Sequence, residues 1–431
     1  MFFISHDKKI ALMFIGCMIL TLLRMNIPIF TSANFLLIGC FLLSEFSNWK
    51  AMVKRWMRNP VGKVLIIVLL SVLLCIINSP HLHEFKDAIS FLRNELLLKY
   101  FVLGYTFYSI RNEKGLRTII RYSIIPMFVL TFWGIVNLLE QRSVFVNEMM
   151  SNWASTSAVY ELAGDAFTDS ERFRVQAMFV NPFDYGYICL LCLLLYIYGY
   201  TRKVMNRNLF SVLLFCCIFG ILLCGCRTIV VCSILGVITI LLLSYRLGKS
   251  LTYCLAALAL ATLSYMTVPV VNEKVDEMLT VFSDTSGREF GGSNIDMRSV
   301  QFAAVLYHIE DSPAFGRGVK FFYYDMGWED GRQGLKDSRL MGIEGVYLSF
   351  LLERGFIGYF LYLSVWIIIL IYLYKHRSFR RKLSALGISV WVVYTAFANM
   401  TGELLSVFPT LLIIGAVLGV MNTNEKLQEN G

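Results

Sequence analysis

Glu344 opens the apolar run "EGVYLSFLLERGFIG" (344–358), and Arg227 joins two apolar runs with almost nothing between them in "LLCGCRTIVV". Lys99 follows Glu95 by four residues at the edge of another run, and Arg172 and Arg174 precede a further one in "ERFRVQAMFVNPFDYG". Arg288 lies in the turn-rich "SDTSGREFGGSN", and Arg298 in the helical-looking "MRSVQFAAVLYHIED" that follows it. An ionisable group beside hydrocarbon costs free energy unless it snorkels, pairs or lines a wet cavity. Arginines converging on one cavity make an anion site, because guanidinium forks match phosphate oxygens. Each also has a structural reading: a helix-surface ion pair for Glu95 and Lys99, snorkelling for Arg227, loop packing for Arg174, and a carboxylate favoured at a helix N-terminus for Glu344.

The elements that must position these charges are membrane helices. The chain has 431 residues, 57% of them hydrophobic and 16% charged. Mean hydropathy is +0.63. Apolar runs fall at 10–23, 27–46, 61–78, 96–110, 116–139, 183–200, 209–225, 228–245, 251–268, 345–374, 383–400 and 404–421. The pattern predicts an all-α polytopic membrane protein of about twelve transmembrane helices, since backbone in lipid must satisfy its own hydrogen bonds. Residues 1–431 read as one integral domain.

Basic clusters at Lys8-Lys9, 50–63, 111–117, 201–207, 246–249 and 375–382 fall on alternate loops, which the positive-inside rule makes cytoplasmic. Both termini are then cytoplasmic, and the long loops 141–181 and 271–343 lie outside. The net charge of +9 is used up by these anchors, which argues against a nucleic-acid partner. The amino terminus lacks a small-residue cleavage site and reads as a retained first helix. The eleven cysteines sit in or at the ends of apolar runs, so neither a disulfide framework nor a zinc site is implied. Cys224-x-Cys226 reads as two packing residues.

Within 271–343, "VNEKVDEML" reads as a short helix, "MRSVQFAAVLYHIED" as another, and "SPAFGRG" as its stop. His81 and His83 form an H-x-H pair with no further ligands in sight, and His308 beside Tyr307 reads as packing. No P-loop, GxGxxG, HExxH or GxSxG occurs in a fitting context. The run from Glu344 to Tyr374 would be about 46 Å long as one helix, more than a ~30 Å hydrocarbon core. Something must tilt, break or stay outside: if 356–374 makes the span, 345–352 forms a lead-in with Glu353 and Arg354 near the outer interface, and Gly355 and Gly358 allow a bend or a close helix approach.

Three pieces, in order, resemble the membrane superfamily of O-antigen ligases and O-antigen polymerases. They are "RVQAMFVNPFDYGYICLLCLLL" (174–195), "CRTIVVCSILGV" (226–237), and the stretch from "MRSVQFAAVLYHIEDSPAFGRG" (297–318) to the run at 344. The ligases carry a His, then Asn, Ser or Gln, nine residues, and a Gly-x-x-Gly. Here the same frame reads Glu344, Gly345, nine residues, Gly355 and Gly358. The change from His to Glu favours the polymerase branch. The resemblance implies a GT-C-like, metal-independent and cofactor-free glycosyltransferase. It would act on a polyprenyl-diphosphate-linked oligosaccharide at the outer face of a bacterial inner membrane, with a flippase and a chain-length regulator as possible partners.

Such a reaction must offset growing negative charge on phosphate and accept a hydroxyl proton. Glu344 is the expected base, with Arg298 and Arg227 at the reacting centre and Arg174, Arg172, Arg288 and Lys99 on the diphosphate or glycan. Two other classes remain open at this stage: a lipid-linked glycan transporter, and a non-catalytic member of an assembly complex.

Overall fold

The computed structural model describes residues 5–19, 48–144, 174–179, 181–245, 295–327, 335–340, 343–377, 381–403 and 407–429, with isolated positions between 246 and 294. Among these residues the chain is helical and has no strand. Helices α1 (His6–Ile19), α2 (Trp49–Met57) and α3 (Pro60–Asn78) come first. Next, α4 (Phe85–Leu92) widens into π turns over Arg93–Tyr100 and continues as α5 (Phe101–Ser109). The long α6 (Glu113–Glu140) is followed by α7 (Pro182–Thr201), α8 (Arg207–Leu223) and α9 (Arg227–Ser244). The last group is α10 (Ile295–His308), the short α11 (Phe321–Tyr324), α12 (Val346–Lys375), α13 (Arg381–Thr401) and α14 (Val407–Glu429).

Six of these, α3, α6, α7, α9, α12 and α13, are long and apolar enough to cross a membrane, and α8 and Val407–Thr423 of α14 are shorter apolar helices. The chain is an all-α polytopic membrane protein. The expected runs at 27–46 and 251–268, the short helix "VNEKVDEML" and most of loop 141–181 lie outside the described residues.

Local sequence sets the helix starts. Asn112, Asn181 and Asn206 accept hydrogen bonds from the first amides of α6, α7 and α8, and Pro60 and Pro182 occupy first-turn positions where no donor is lost. Small residues set the close approaches. Gly415 and Gly419 of α14 lie against backbone carbonyls of α5, where an added Cβ would collide, and Gly236 of α9 lies against Val393 of α13.

The helices leave two faces, called here the basic end and the loop end. At the loop end a small second core joins Ala304, Val305 and Ile309 to Phe321, Leu340, Leu348 and Leu352. That core fastens α10 to the first turns of α12.

Helix α12 is broken, one of the ways a run of its length is accommodated. Gly355 has φ 63 and ψ −168, outside the helical region. The segment after α10 fills the break: Phe356 N donates to Pro313 O (2.9 Å) and Ile357 N to Ala314 O (3.0 Å), while Arg317 N and Gly318 N donate to Leu352 O (2.8 Å) and Glu353 O (2.9 Å). These four bonds give protein partners to backbone groups that the break sets free, as irregular backbone within an apolar helix needs.

Candidate functional site

Arg298, one turn into α10, reaches two elements at once. Its Nη2 donates to Glu344 Oε2 at 2.7 Å and to Met400 O at 2.6 Å, in the last turn of α13. The second bond satisfies a carbonyl that a helix C-terminus leaves without an intrahelical partner. Glu344 precedes the N-cap residue of α12, which is Gly345, so its carboxylate serves Arg298 rather than the helix amides. Gly345 has φ +95, and a Cβ there would lie 2.6 Å from Asn399 O. Only glycine lets Glu344 approach the end of α13 so closely.

Lys99 lies nearby in the same corner. Its ammonium bridges Glu95 Oε1 (2.7 Å) and Glu403 Oε2 (2.6 Å), and Glu403 follows Met400 by three residues. Tyr394 OH donates to the other Glu403 oxygen at 2.6 Å. Arg354 Nη2 sits 3.2 Å from Glu95 Oε2, with its guanidinium 4.0 Å from the centre of the Phe350 ring. Two cations and two carboxylates thus meet among α4–α5, α12 and α13, with Glu95 buried and the other three half-buried. The expected Glu95–Lys99 pair exists, but as part of this cluster and away from the helix surface. The π turns over Arg93–Tyr100 carry both residues, and such turns commonly mark functional positions.

Arg174 and Arg227 sit at the same end. Residues 174–179 are irregular, held by Val175 N to Leu223 O (3.0 Å) and by Asn137 Nδ2 to Ala177 O (3.0 Å). The stem of Arg174 lies over Gly225 (φ +63), whose added Cβ would be 3.1 Å from Arg174 Cγ. Arg227 opens α9 directly after that turn. Because α9 runs antiparallel to α13 with Gly236 facing Val393, nine residues of rise, about 13.5 Å, bring Arg227 level with Gly402. Arg172 and Arg288 lie outside the described residues.

Two histidines at the loop end have a carboxylate partner: His81 bonds Asp325, and His308 Nε2 is 2.9 Å from Asp337 Oδ2. Arg339 grips Asp337 at 3.0 and 2.8 Å. The Arg339 bonds first, then His308, hold the Asp337 carboxyl well below the usual carboxylate range. Among the described residues no group of three or more His, Cys, Asp or Glu could hold a metal ion, and the eight described cysteines are free and buried.

Sequence reasoning picked out Arg298, Glu344, Lys99 and Glu95 and missed Glu403. The signal was present: "NMTGELLS" (399–406) places a carboxylate between two apolar runs, the criterion applied to the other charges.

Residues 210–363 match the family described as O-antigen ligase, about a third of the chain, running from α8 into α12 and including Arg227, Arg298 and Glu344. No curated protein matches the chain.

Proposed function

From the match of residues 210–363 to the family described as O-antigen ligase, we propose that this chain is a member of the O-antigen ligase and polymerase superfamily that polymerises lipid-linked oligosaccharide repeat units at the outer face of a bacterial inner membrane. The observation that carries the proposal is the Arg298–Glu344 contact. It joins a cation suited to a diphosphate and a carboxylate suited to a hydroxyl proton, in the frame where the ligases keep His.

In the proposed reaction a sugar hydroxyl of one glycan attacks the anomeric carbon of the sugar on a polyprenyl diphosphate. The new glycosidic bond forms as the bond to the diphosphate oxygen breaks, and the diphosphate leaves with the electron pair. Glu344 takes the hydroxyl proton, oriented by Arg298 on one of its oxygens. Arg298, Arg227 and Arg174 offset the charge that grows on the leaving phosphate, the term that dominates when donors are fixed beforehand. No metal or cofactor enters this scheme. The orientation puts the basic end and both termini in the cytoplasm, and a flippase and a chain-length regulator are natural partners.

A ligase-type transfer of finished polymer and a transport role are the alternatives, and one experiment separates all three. Arg298→Ala and Glu344→Gln are introduced singly in the source bacterium, and surface and carrier-linked glycans are compared. Single repeats reaching the surface without polymer, at normal protein level, is the expected result. Removing either group should lower polymer yield by about 10²-fold or more. Finished polymer accumulating on the carrier would instead indicate a ligase, and repeats trapped inside a transporter. Full-length polymer in both variants would overturn the site.

A further inference from the structure

We infer that Lys99 is a positioning residue: tethered to Glu403, it fixes the corner at 399–403 that aims both Arg298 and Glu344. The inference rests on the reaction centre proposed above. Every link is a direct contact. Lys99 Nζ holds Glu403 Oε2 at 2.6 Å, and Met400, three residues earlier, gives its carbonyl to Arg298 at 2.6 Å. Asn399 O closes against Gly345, the neighbour of Glu344. Gly402, with φ +114, makes the turn between Met400 and Glu403, a backbone conformation that glycine adopts without strain. The Lys99–Glu403 bond anchors this turn from an element outside it.

This role needs no contact between Lys99 and a substrate. The ammonium is already shared by two carboxylates, Glu95 and Glu403, and Glu403 is further fixed by Tyr394 OH at 2.6 Å. Arg354 keeps the second oxygen of Glu95 at 3.2 Å, so that Glu95 has a second cation besides Lys99. Buried ion pairs contribute little net stability compared with apolar packing, but they fix geometry where register matters. A corner carrying one carbonyl for Arg298 and the seat of Gly345 is such a place.

The test uses the full chain in nanodiscs, supplied with lipid-linked repeat units extracted from a strain that lacks it, and reads initial rate against donor concentration. Lys99→Met combined with Glu403→Gln removes the tether while leaving Glu95 to Arg354. The expected result is a kcat lower by about ten- to a hundredfold, the effect of a misplacement on the order of 1 Å, with KM within about twofold of wild type. Lys99→Arg, which keeps the charge and both acceptors in reach, should recover most of the rate. Should the double variant fail to fold, Glu403→Asp shortens the tether by one methylene and should again lower kcat without raising KM.

A wild-type kcat in the folded double variant or in Glu403→Asp would overturn the inference, as would a raised KM with intact kcat, which would place Lys99 on the donor. Arg298→Ala and Glu344→Gln are run alongside. If they are fully active, the proposed centre itself fails, whereas inactivity there with wild-type rates in the tether variants removes only the role of Lys99.

Discussion

One guanidinium nitrogen of Arg298 holds a side-chain carboxylate and a main-chain carbonyl at 2.7 and 2.6 Å. The guanidinium, unlike an ammonium, cannot shed its charge beside the apolar runs that surround it. The loop that carries Arg298 is fastened by a second charged group, Asp337, which ties residues 335–340 to α10 through His308 and grips Arg339. With the Asp337 carboxyl depressed in the folded state, first by Arg339, the unfolded chain binds the extra proton over the pH range between the two values. The stabilisation is therefore complete above about pH 4, the ordinary Asp value, and is lost as pH falls through the folded one. Limited proteolysis of 335–340 should be flat from pH 8 to 5 and rise only below about pH 4. Asp337→Asn should be cut faster throughout, and loosening already near pH 6 in the wild type would contradict the assignment. At this scale the sequence was legible where a charge interrupted an apolar run, as at Glu344, Lys99 and Arg227. It was silent on partners, because Arg298 and Met400, or Lys99 and Glu403, meet only through tertiary packing.

The broken α12 shows what a length argument can and cannot deliver. A run too long for the bilayer, with two glycines three apart, left a tilt, a break or a segment outside the membrane open, and Gly355 makes it a break. Nothing local in "SPAFGRG" announces that this loop would supply the donors and acceptors that the break sets free. Gly355 has to be glycine for two reasons: its φ of 63, and the 2.5 Å that would separate an added Cβ from Ala314 O. Gly358 has a different reason, since a Cβ there would collide with that of Arg354. Gly355→Ala is expected to cost about 1–3 kcal/mol from backbone strain alone, and to push the 313–318 segment out of the break. Hydrogen exchange should quicken at the amides of Arg317, Gly318, Phe356 and Ile357, while α9 and α13 stay protected. Unchanged exchange at those four amides would show that the loop is not held by the break.

Across the whole molecule, the basic residues read as cytoplasmic anchors also complete the helices. Arg55 donates to Tyr108 O at 3.1 Å, Lys382 to Thr201 O at 3.0 Å and Arg381 to Leu243 O at 2.7 Å, all in the last residues of α5, α7 and α9. Arg55 also reaches Thr423 Oγ1 of α14 at 3.2 Å, and Arg202 pairs with Glu113 where α7 meets α6. Cations at helix C-termini answer both the unpaired carbonyls and the negative end of the dipole. These bonds draw the loops at 50–63, 111–117, 201–207 and 375–382 to one face, as the positive-inside reading requires of them. The opposite face carries Arg298, Glu344, Arg227 and Lys99. The proposed function therefore depends on which face is outside, and thiol labelling decides it. Asp311, 85% exposed at the loop end, and Lys203, exposed at the basic end, are replaced singly by cysteine, with the wild-type chain measuring background from its own thiols, of which the eight described are buried. A membrane-impermeant maleimide applied to spheroplasts should label Asp311→Cys at once, and Lys203→Cys only after the membrane is opened. The reverse order would put the Arg298–Glu344 centre in the cytosol, where an outer-face polymerase cannot work.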